Sequence, residues 1–180
     1  IGGHNQEGAN DAELYLRWIQ YGVFSPILRT HATAAGHIER RIWKYANFEQ
    51  MRDAIYLRYA LIPYIYTMAR WSYDTGVGMC RPMYYDYPEA DEAYRYEGQY
   101  MFGNDILVAP VSEKDIWLPE GKWYEVMTGE LIDGGSVVTR SFTCEQIPYY
   151  YREGAIIPLY PRMMHLKKRP ETLTLQFTPG

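Results

Sequence analysis

The hydrophobic pattern of this chain changes its period at Gly76. Before that glycine, apolar residues recur at helical spacings, most clearly in "NFEQMRDAIYLRYALIPYIYTMARWSYDTG". After it, short strand-like runs alternate with turns rich in Gly, Pro, Asn and Asp. The change predicts two unlike parts, an α/β part over residues 1–76 and an all-β part that follows.

The α/β part begins with a Gly-rich loop and a helical segment. Asn10 or Asp11 can cap a helix over "AELYLRWIQYG", which places Leu14, Trp18 and Tyr21 on one apolar stripe. The apolar run "VFSPILRTH" then predicts a short buried strand, and a loop follows it.

The second helical stretch is longer. Asn47 is placed to cap it and Gly76 to end it, while Pro63 should kink or divide it because proline lacks a backbone donor. This order of elements is that of an α/β barrel, but a complete (β/α)8 TIM barrel needs roughly 200 residues or more. We therefore expect residues 1–76 to be the C-terminal segment of a catalytic barrel, with the remainder of the same polypeptide as its partner.

Residues 77–162 are predicted to form an antiparallel β-sandwich. "PEGKW" and "LIDGGS" indicate hairpin turns. "IPYYYREGAIIP" indicates a strand, a turn and a strand, with Tyr149–Tyr151 alternating across the sheet. The tail "TLTLQFTPG" predicts another strand, and residues 163–180 are expected to start a distal β domain.

Charge and motifs exclude several classes of function. The net charge is −4 and the longest basic run is "KKR", so no nucleic acid is expected as a partner, because phosphate binding needs clustered Lys and Arg. No apolar run reaches the ~18 residues of a membrane span, so no membrane partner is expected either. Two cysteines are too few for a Cys-rich zinc site. The sequence implies no metal and no cofactor.

Aromatic residues are unusually frequent, with 19 Tyr, 5 Trp and 5 Phe making up 16% of the chain. Tyrosine combines a flat apolar face with a hydroxyl, which suits surfaces that meet sugars. The same amphipathic side chain also packs at sheet edges and domain contacts. Composition leaves both interpretations open.

His31 stands where an apolar run ends and a Gly-containing loop begins. In an α/β barrel the carboxyl ends of the strands carry the active site, and an imidazole there can hold a ligand hydroxyl. A loop histidine bonded to backbone is the alternative. His4, in "IGGHN", is a second polar candidate, although its setting is typical of a solvated loop.

Carboxylates are plentiful but dispersed. Hydrolysis of a glycoside with retention requires two of them about 5–5.5 Å apart. The local groups lie in regions that are expected to be caps, loops and turns: Asp11/Glu13, Glu89/Asp91/Glu92 and Glu145/Glu153. No catalytic residue is therefore predicted in this segment.

Several motifs together carry a resemblance to a known family. In chain order they are "IGGHN", "ELYLRWIQYGVFSPILRTH", "LRYALIPYIYT", "RPMYYDYP", "QYMFGNDILVAPV", "LPEGKWYEVMTGE" and "IPYYYREGAIIP". The series resembles the C-terminal part of glycoside hydrolase family 31, the α-glucosidase and α-xylosidase family. The resemblance covers nearly the whole chain, and the tail after Pro161 matches only as the start of a distal β domain.

The resemblance implies a retaining mechanism on α-glycosides, with an Asp nucleophile and an Asp acid/base upstream of this segment. It assigns His31 to hydroxyls of the sugar in the −1 subsite. The family usually has an aromatic residue where His4 stands and a proline where Ile42 stands in "ERRIW". It is therefore open whether residue 4 stacks on the sugar and how the loop presents Trp43. His4 and Trp43 remain secondary candidates for substrate binding.

The function expected of the intact parent is hydrolysis of terminal α-linked glucose from oligosaccharides. An α-xylosidase of the same family is the alternative, since the residues that separate the two lie largely upstream. A noncatalytic carbohydrate-binding or structural β module would suit the second part of the chain. The first 76 residues argue against that module, because they are expected to be the end of a barrel.

Overall fold

A computed structural model describes residues 1–3, 10–110, 113–163 and 165–180, with the backbone alone at residues 113 and 114. The first part contains three longer helices, α1 (Ala12–Val23), α2 (Phe48–Ala60) and α3 (Ile62–Thr75), with a 3₁₀ turn at Ile42–Lys44. No helix in the described ranges is long and apolar enough to cross a membrane.

The second part carries two short helices and ten strands within the described residues. In chain order these are β1 (Cys80–Pro82), α4 (Met83–Asp86), α5 (Asp91–Arg95), β2 (Tyr100–Phe102), β3 (Ile106–Val108), β4 (Glu113–Leu118), β5 (Lys122–Glu125), β6 (Glu130–Asp133), β7 (Ser136–Ser141), β8 (Tyr149–Arg152), β9 (Ile156–Leu159) and β10 (Thr174–Phe177).

All the described strand pairs are antiparallel. Six strands form one sheet in the order β1-β2-β3-β8-β5-β6, while β4 pairs with β7 and β9 pairs with β10. The six-stranded sheet has helices on one face and the β4–β7 ribbon on the other. The expectation of antiparallel sheets after the helices is confirmed.

The tyrosine run of β8 shows how the sheet separates two cores. Tyr149 and Tyr151 pack with the helices α1–α3 on one face, and Tyr150 packs with the ribbon on the other. All three side chains are buried. The predicted alternation is confirmed, because successive side chains of a strand point to opposite faces.

The helix boundaries follow the expected signals. The Asp11 side chain accepts a hydrogen bond from the backbone N of Leu14 (2.9 Å) and caps α1. Pro63 lies in the first turn of α3, directly after the break from α2, and Gly76 ends α3 in the left-handed conformation. Proline is tolerated in a first turn because the N–H it lacks has no partner there.

Asn47 is at the predicted N-terminus of α2, but it does not cap the helix. Its side-chain amide donates instead to the backbone oxygen of Ala12 (2.7 Å), which joins the starts of α2 and α1. The apolar stripe of Leu14, Trp18 and Tyr21 is exposed, and α1 buries the opposite face.

The predicted strand "VFSPILRTH" is wrong in this structure. Val23 still belongs to α1, and residues 24–31 have no strand assignment and no ladder partner among the described residues. A strand exists only through hydrogen bonds to a neighbouring strand. The segment starts with a turn and bends at residues 24–26, and Ile27 is 80% exposed, so the predicted buried strand does not form among the described residues.

The predicted hairpins at "PEGKW" and "LIDGGS" are also wrong. The first connects β4 to β5 and the second connects β6 to β7, yet β4 pairs with β7 and β5 pairs with β6. Both turns therefore pass between the six-stranded sheet and the ribbon. Turn chemistry marks where the chain reverses, but it does not specify which strands pair.

These two crossing turns are packed against each other at Gly134. Its backbone N donates to the oxygen of Gly121 (2.7 Å), and a Cβ at this position would lie 1.8 Å from the oxygen of Pro119. We expect Gly134→Ala to lower the free energy of unfolding by about 1–3 kcal/mol, because overpacking forces the backbone apart. The thermal unfolding midpoint of the intact protein measures the change.

Gly36→Ala is the matched control. A Cβ at Gly36 meets no atom within 4 Å, so this variant should change stability by no more than about 0.5 kcal/mol. Equal midpoints for the two variants would contradict the steric account of Gly134.

Candidate active-site segment

Three chain segments meet near the N-terminus of the structure. They are residues 1–3, residues 29–31 and residues 39–43. The backbone nitrogen of Ile1 donates to the backbone oxygen of Arg29 (2.8 Å). One Arg40 nitrogen, Nη2, donates to the oxygens of Gly2 (2.5 Å) and Gly3 (3.0 Å). These bonds hold the Ile-Gly-Gly stretch beside the loop that carries His31.

Gly2 is required by this arrangement. It has φ +88°, and a Cβ there would lie 2.6 Å from Arg40 Nε and 2.9 Å from the ring of Tyr15. The Arg40 guanidinium also lies over the Tyr15 ring, 5.3 Å from its centroid, and the Tyr15 hydroxyl donates to the oxygen of Arg40 (2.8 Å). A glycine lets the arginine approach the backbone closely, as only a residue without Cβ allows.

His31 is exposed at the end of the second segment. Its Nδ1 lies 3.1 Å from Arg29 Nη2. A guanidinium has donors and no acceptor, so Nδ1 accepts this hydrogen bond. In the neutral ring the hydrogen is therefore on Nε2, which makes Nε2 the donor.

The other candidates have different settings. Trp43 lies in the 3₁₀ turn and is 64% exposed. The next aromatic residue, Tyr45, is partly buried and donates from its hydroxyl to the oxygen of Glu39 (2.7 Å). His4 lies outside the described residues. Trp43 thus presents an aromatic ring to solvent on the same loop as His31.

Glu39 organises the loop through its carboxylate. Arg41 donates to it from the backbone N (2.8 Å), from Nε (2.9 Å) and from Nη2 (2.7 Å), and the backbone N of Arg40 adds a fourth bond (2.9 Å). The side-chain hydrogen bonds from Arg41, followed by its backbone bond, lower the pKa of Glu39 from 4.5 to about 2. Hydrogen bonds to the charged form favour ionisation.

This lowered pKa predicts how the loop responds to acid. A depressed folded-state pKa contributes stability above about pH 4.5, and that contribution is lost as the pH falls through about 2. We expect the Glu39 carboxyl carbon to titrate near pH 2 in an NMR titration, and Arg41→Gln to return the pKa towards 4.5. A Glu39 pKa near 4.5 in the unmodified protein would contradict the hydrogen bonding of this carboxylate by Arg41.

Sequence reasoning named His31 as a candidate, and it did not predict that Arg40 and Glu39 organise the loop. Their charges are visible in "ERRIW", but Arg40 and Gly2 are 38 positions apart in the chain. No local pattern reports such a pairing. In the part of the chain that the structure describes, no group of three or more His, Cys, Asp or Glu residues could hold a metal ion.

Two family profiles match the chain in consecutive stretches. Residues 1–68 match the profile described as the TIM-barrel domain of glycosyl hydrolases family 31, and residues 76–157 match the C-terminal domain of that family. The resemblance predicted from the motifs is confirmed, as is the fold class of a barrel end followed by a β domain.

Curated relatives include several activities. The chain is 37% identical to an α-xylosidase of Saccharolobus solfataricus, over 98% of the chain and 25% of that protein. It is 36% identical to a 1,6-α-glucosyltransferase of Sporosarcina globispora, over 87% of the chain and 13% of that protein. It is 34% identical to an α-glucosidase of S. solfataricus, over 83% of the chain and 22% of that protein. The chain thus spans a quarter or less of these relatives.

Solved structures share the fold. A cycloalternan-forming enzyme from Listeria monocytogenes, in complex with a pentasaccharide substrate, has a TM-score of 0.90 at 31% identity, with 98% of this chain and 19% of that chain covered. A Flavobacterium johnsoniae dextranase complexed with glucose has a TM-score of 0.86 at 35% identity, with 94% of this chain and 22% of that chain covered.

Proposed function

Because the chain belongs to glycoside hydrolase family 31, we propose that the intact protein is a retaining α-glycosidase that releases terminal α-linked glucose from oligosaccharides. The observation that carries the proposal is the match of residues 1–68 to the barrel domain of the family, since the barrel is the part expected to hold the active site. The relative named α-glucosidase supports the choice of glucose.

The proposed chemistry needs two carboxylates and water. One aspartate attacks the anomeric carbon while the other, as an acid, protonates the leaving oxygen, so the glycosidic bond breaks as a glycosyl-enzyme ester forms. Water then attacks the same carbon and gives its proton to the second aspartate, which restores both groups. Both aspartates are proposed to lie upstream of residue 1, and no cofactor takes part.

Within this chain, His31 is the proposed substrate-binding residue. The bond from Arg29 to Nδ1 makes Nε2 the donor of the neutral ring, and a donor is what the oxygen of a sugar hydroxyl requires. Trp43 is proposed to contact the sugar more weakly, through its exposed ring. His4 is a further proposed contact that lies outside the described residues.

The second candidate is an α-xylosidase, which the relative at 37% identity favours. Transfer of the glycosyl group to a sugar instead of water is the activity named for the glucosyltransferase relative. A noncatalytic β module accounts only for the second part of the chain, and the barrel-domain match of residues 1–68 counts against it.

Kinetics of the intact protein on 4-nitrophenyl α-glucoside and α-xyloside test the proposal. We expect the glucoside to be the better substrate by kcat/KM, and proton NMR of early products to show the α-anomer. Preference for the xyloside would select the second candidate. A folded parent that cleaves neither substrate, or that releases the β-anomer first, would contradict the proposal.

A further inference from the structure

A cleft of about 620 Å³ lies between the end of α3, the α4 segment and three turns of the β part. Its size is within the range of small-molecule sites, about 300–1,000 Å³. Trp71 comes from α3, Tyr85 from α4 and Arg152 from the end of β8. Neither the candidate active-site segment nor the proposed chemistry uses this cleft.

The floor of the cleft is fixed by a buried arginine. Arg81 donates from Nε and Nη2 to both carboxylate oxygens of Asp86, at 2.8–3.1 Å, and from Nη2 to the oxygen of Gly103 (3.1 Å). Its guanidinium lies 5.4 Å from the centre of the Trp71 ring. These contacts set the positions of Trp71 and Asp86 before any ligand arrives.

Aromatic side chains supply the apolar wall. Tyr85 is 57% exposed, so its ring faces open solvent at the rim of the cleft. Tyr87 packs edge-on against Trp117, with ring centres 5.5 Å apart, and its hydroxyl lies 2.5 Å from Arg152 Nη2. A ligand with a flat, partly apolar face can stack on the exposed ring of Tyr85.

The polar groups of the cleft include both donors and acceptors. The side-chain oxygen of Asn104 accepts from Arg81 (3.3 Å), which leaves the Asn104 amide nitrogen as a donor with no partner among the described residues. The Glu153 carboxylate lies close to Gly121, since a Cβ built on that glycine would be 2.8 Å from a Glu153 oxygen. The carboxylate has no hydrogen-bond partner among the described residues. A ligand that pairs with both groups would accept a hydrogen bond from Asn104 and donate one to Glu153.

Charge narrows the class of ligand further. The cleft is lined by two guanidinium groups and three carboxylates, from Arg81, Arg152, Asp86, Glu120 and Glu153. The Arg81–Asp86 pair is neutral as a unit. Of the remaining groups Arg152 is positive while Glu120 and Glu153 are negative, so the cleft disfavours an anion. A neutral ligand with many hydroxyls fits, because each hydroxyl both donates and accepts.

We propose that this cleft is a carbohydrate-binding site, in which Tyr85 stacks on a sugar ring while Asn104 and Glu153 bond its hydroxyls. The choice of an α-glucan as the ligand rests on the proposed function of the intact protein. The site would hold a segment of glucan chain on the C-terminal domain of the enzyme.

Affinity electrophoresis of the intact protein, through gels containing soluble starch or dextran, tests this site. We expect the glucan to retard the unmodified protein, and Tyr85→Ala and Glu153→Gln each to weaken the apparent affinity by about tenfold, the usual effect of losing one good contact. Tyr73→Ala is the matched control, since Tyr73 is 83% exposed on α3 and does not line the cleft. All three variants should keep kcat/KM on 4-nitrophenyl α-glucoside.

The outcomes separate this site from the proposed function. Loss of retardation in the two cleft variants alone supports the site, even if the protein cleaves no glucoside. Equal retardation of every variant means that glucan binds elsewhere, and it overturns the inference. So does the absence of retardation in the unmodified protein, even where hydrolysis of the aryl glucoside shows the proposed function to be correct.

Discussion

Replacing His31 with alanine is expected to lower kcat/KM on 4-nitrophenyl α-glucoside by about 30- to 150-fold in the intact protein. This corresponds to about 2–3 kcal/mol of transition-state stabilisation, the size expected when a preorganised donor to the reacting sugar is removed. The structure provides the preorganisation: Arg29 donates to Nδ1 at 3.1 Å and makes Nε2 the donor of the neutral ring.

Two controls make the result specific. His31 is exposed, so its truncation should leave the thermal unfolding midpoint unchanged within the error of the measurement. His165→Ala removes another exposed histidine, from the C-terminal tail, and should leave kcat/KM as it is. A His31 variant with full activity would remove this residue from the proposed sugar site.

Predictions from sequence succeeded where the signal was local. Pro63 divides the long helical stretch, and Gly76 ends it in a left-handed conformation with φ +75°. Each outcome follows from the covalent chemistry of one residue. The alternation of Tyr149–Tyr151 is likewise a local property of strand geometry.

Predictions failed where the outcome depends on a partner elsewhere in the chain. Nothing within "PEGKW" says that β4 will pair with β7, 18 or more positions away, and not with the adjacent β5. The segment at residues 24–31 has a strand-like pattern but no neighbouring strand among the described residues. Asn47 has the right identity for a cap, but its amide nitrogen donates to the Ala12 carbonyl of α1, and its side-chain oxygen accepts no hydrogen bond among the described residues.

The candidate active-site segment shows the same difference between local features, which the sequence predicts, and long-range contacts, which it does not. The position of His31 at the end of an apolar run was enough to mark it as a candidate, and it does lie exposed on a loop. The link from Arg40 to Gly2 and Gly3 could not be predicted, because it depends on how the loop folds back across Tyr15. Whether His31 contacts sugar remains a proposal.

The domain boundaries that were expected at residues 76/77 and 162/163 also remain predictions. The helices α1–α3 share one hydrophobic core with β2, β3 and β8, so the first boundary lies within a packed interface. Strand β10, in the tail, pairs with β9.

The largest expected loss of stability comes from the buried ion pair between Arg81 and Asp86. We expect Arg81→Met to lower the free energy of unfolding by about 3–5 kcal/mol, the usual cost of removing one partner of a buried pair. The Arg81 side chain is 7% exposed, and its loss leaves Asp86 without a cation and the oxygens of Gly78 and Gly103 without their donor. The thermal unfolding midpoint of the intact protein measures the effect.

Arg70→Met provides a control of matched geometry. Arg70 and Asp74 are also 2.8 Å apart, but their side chains are 70% and 48% exposed. Water screens such a pair, so its loss should cost only about 0–1 kcal/mol. If the two variants shifted the midpoint equally, burial would not explain the contribution of the Arg81 pair to stability. A larger shift for Arg81→Met ties the stability of the β1–α4 corner to one desolvated guanidinium.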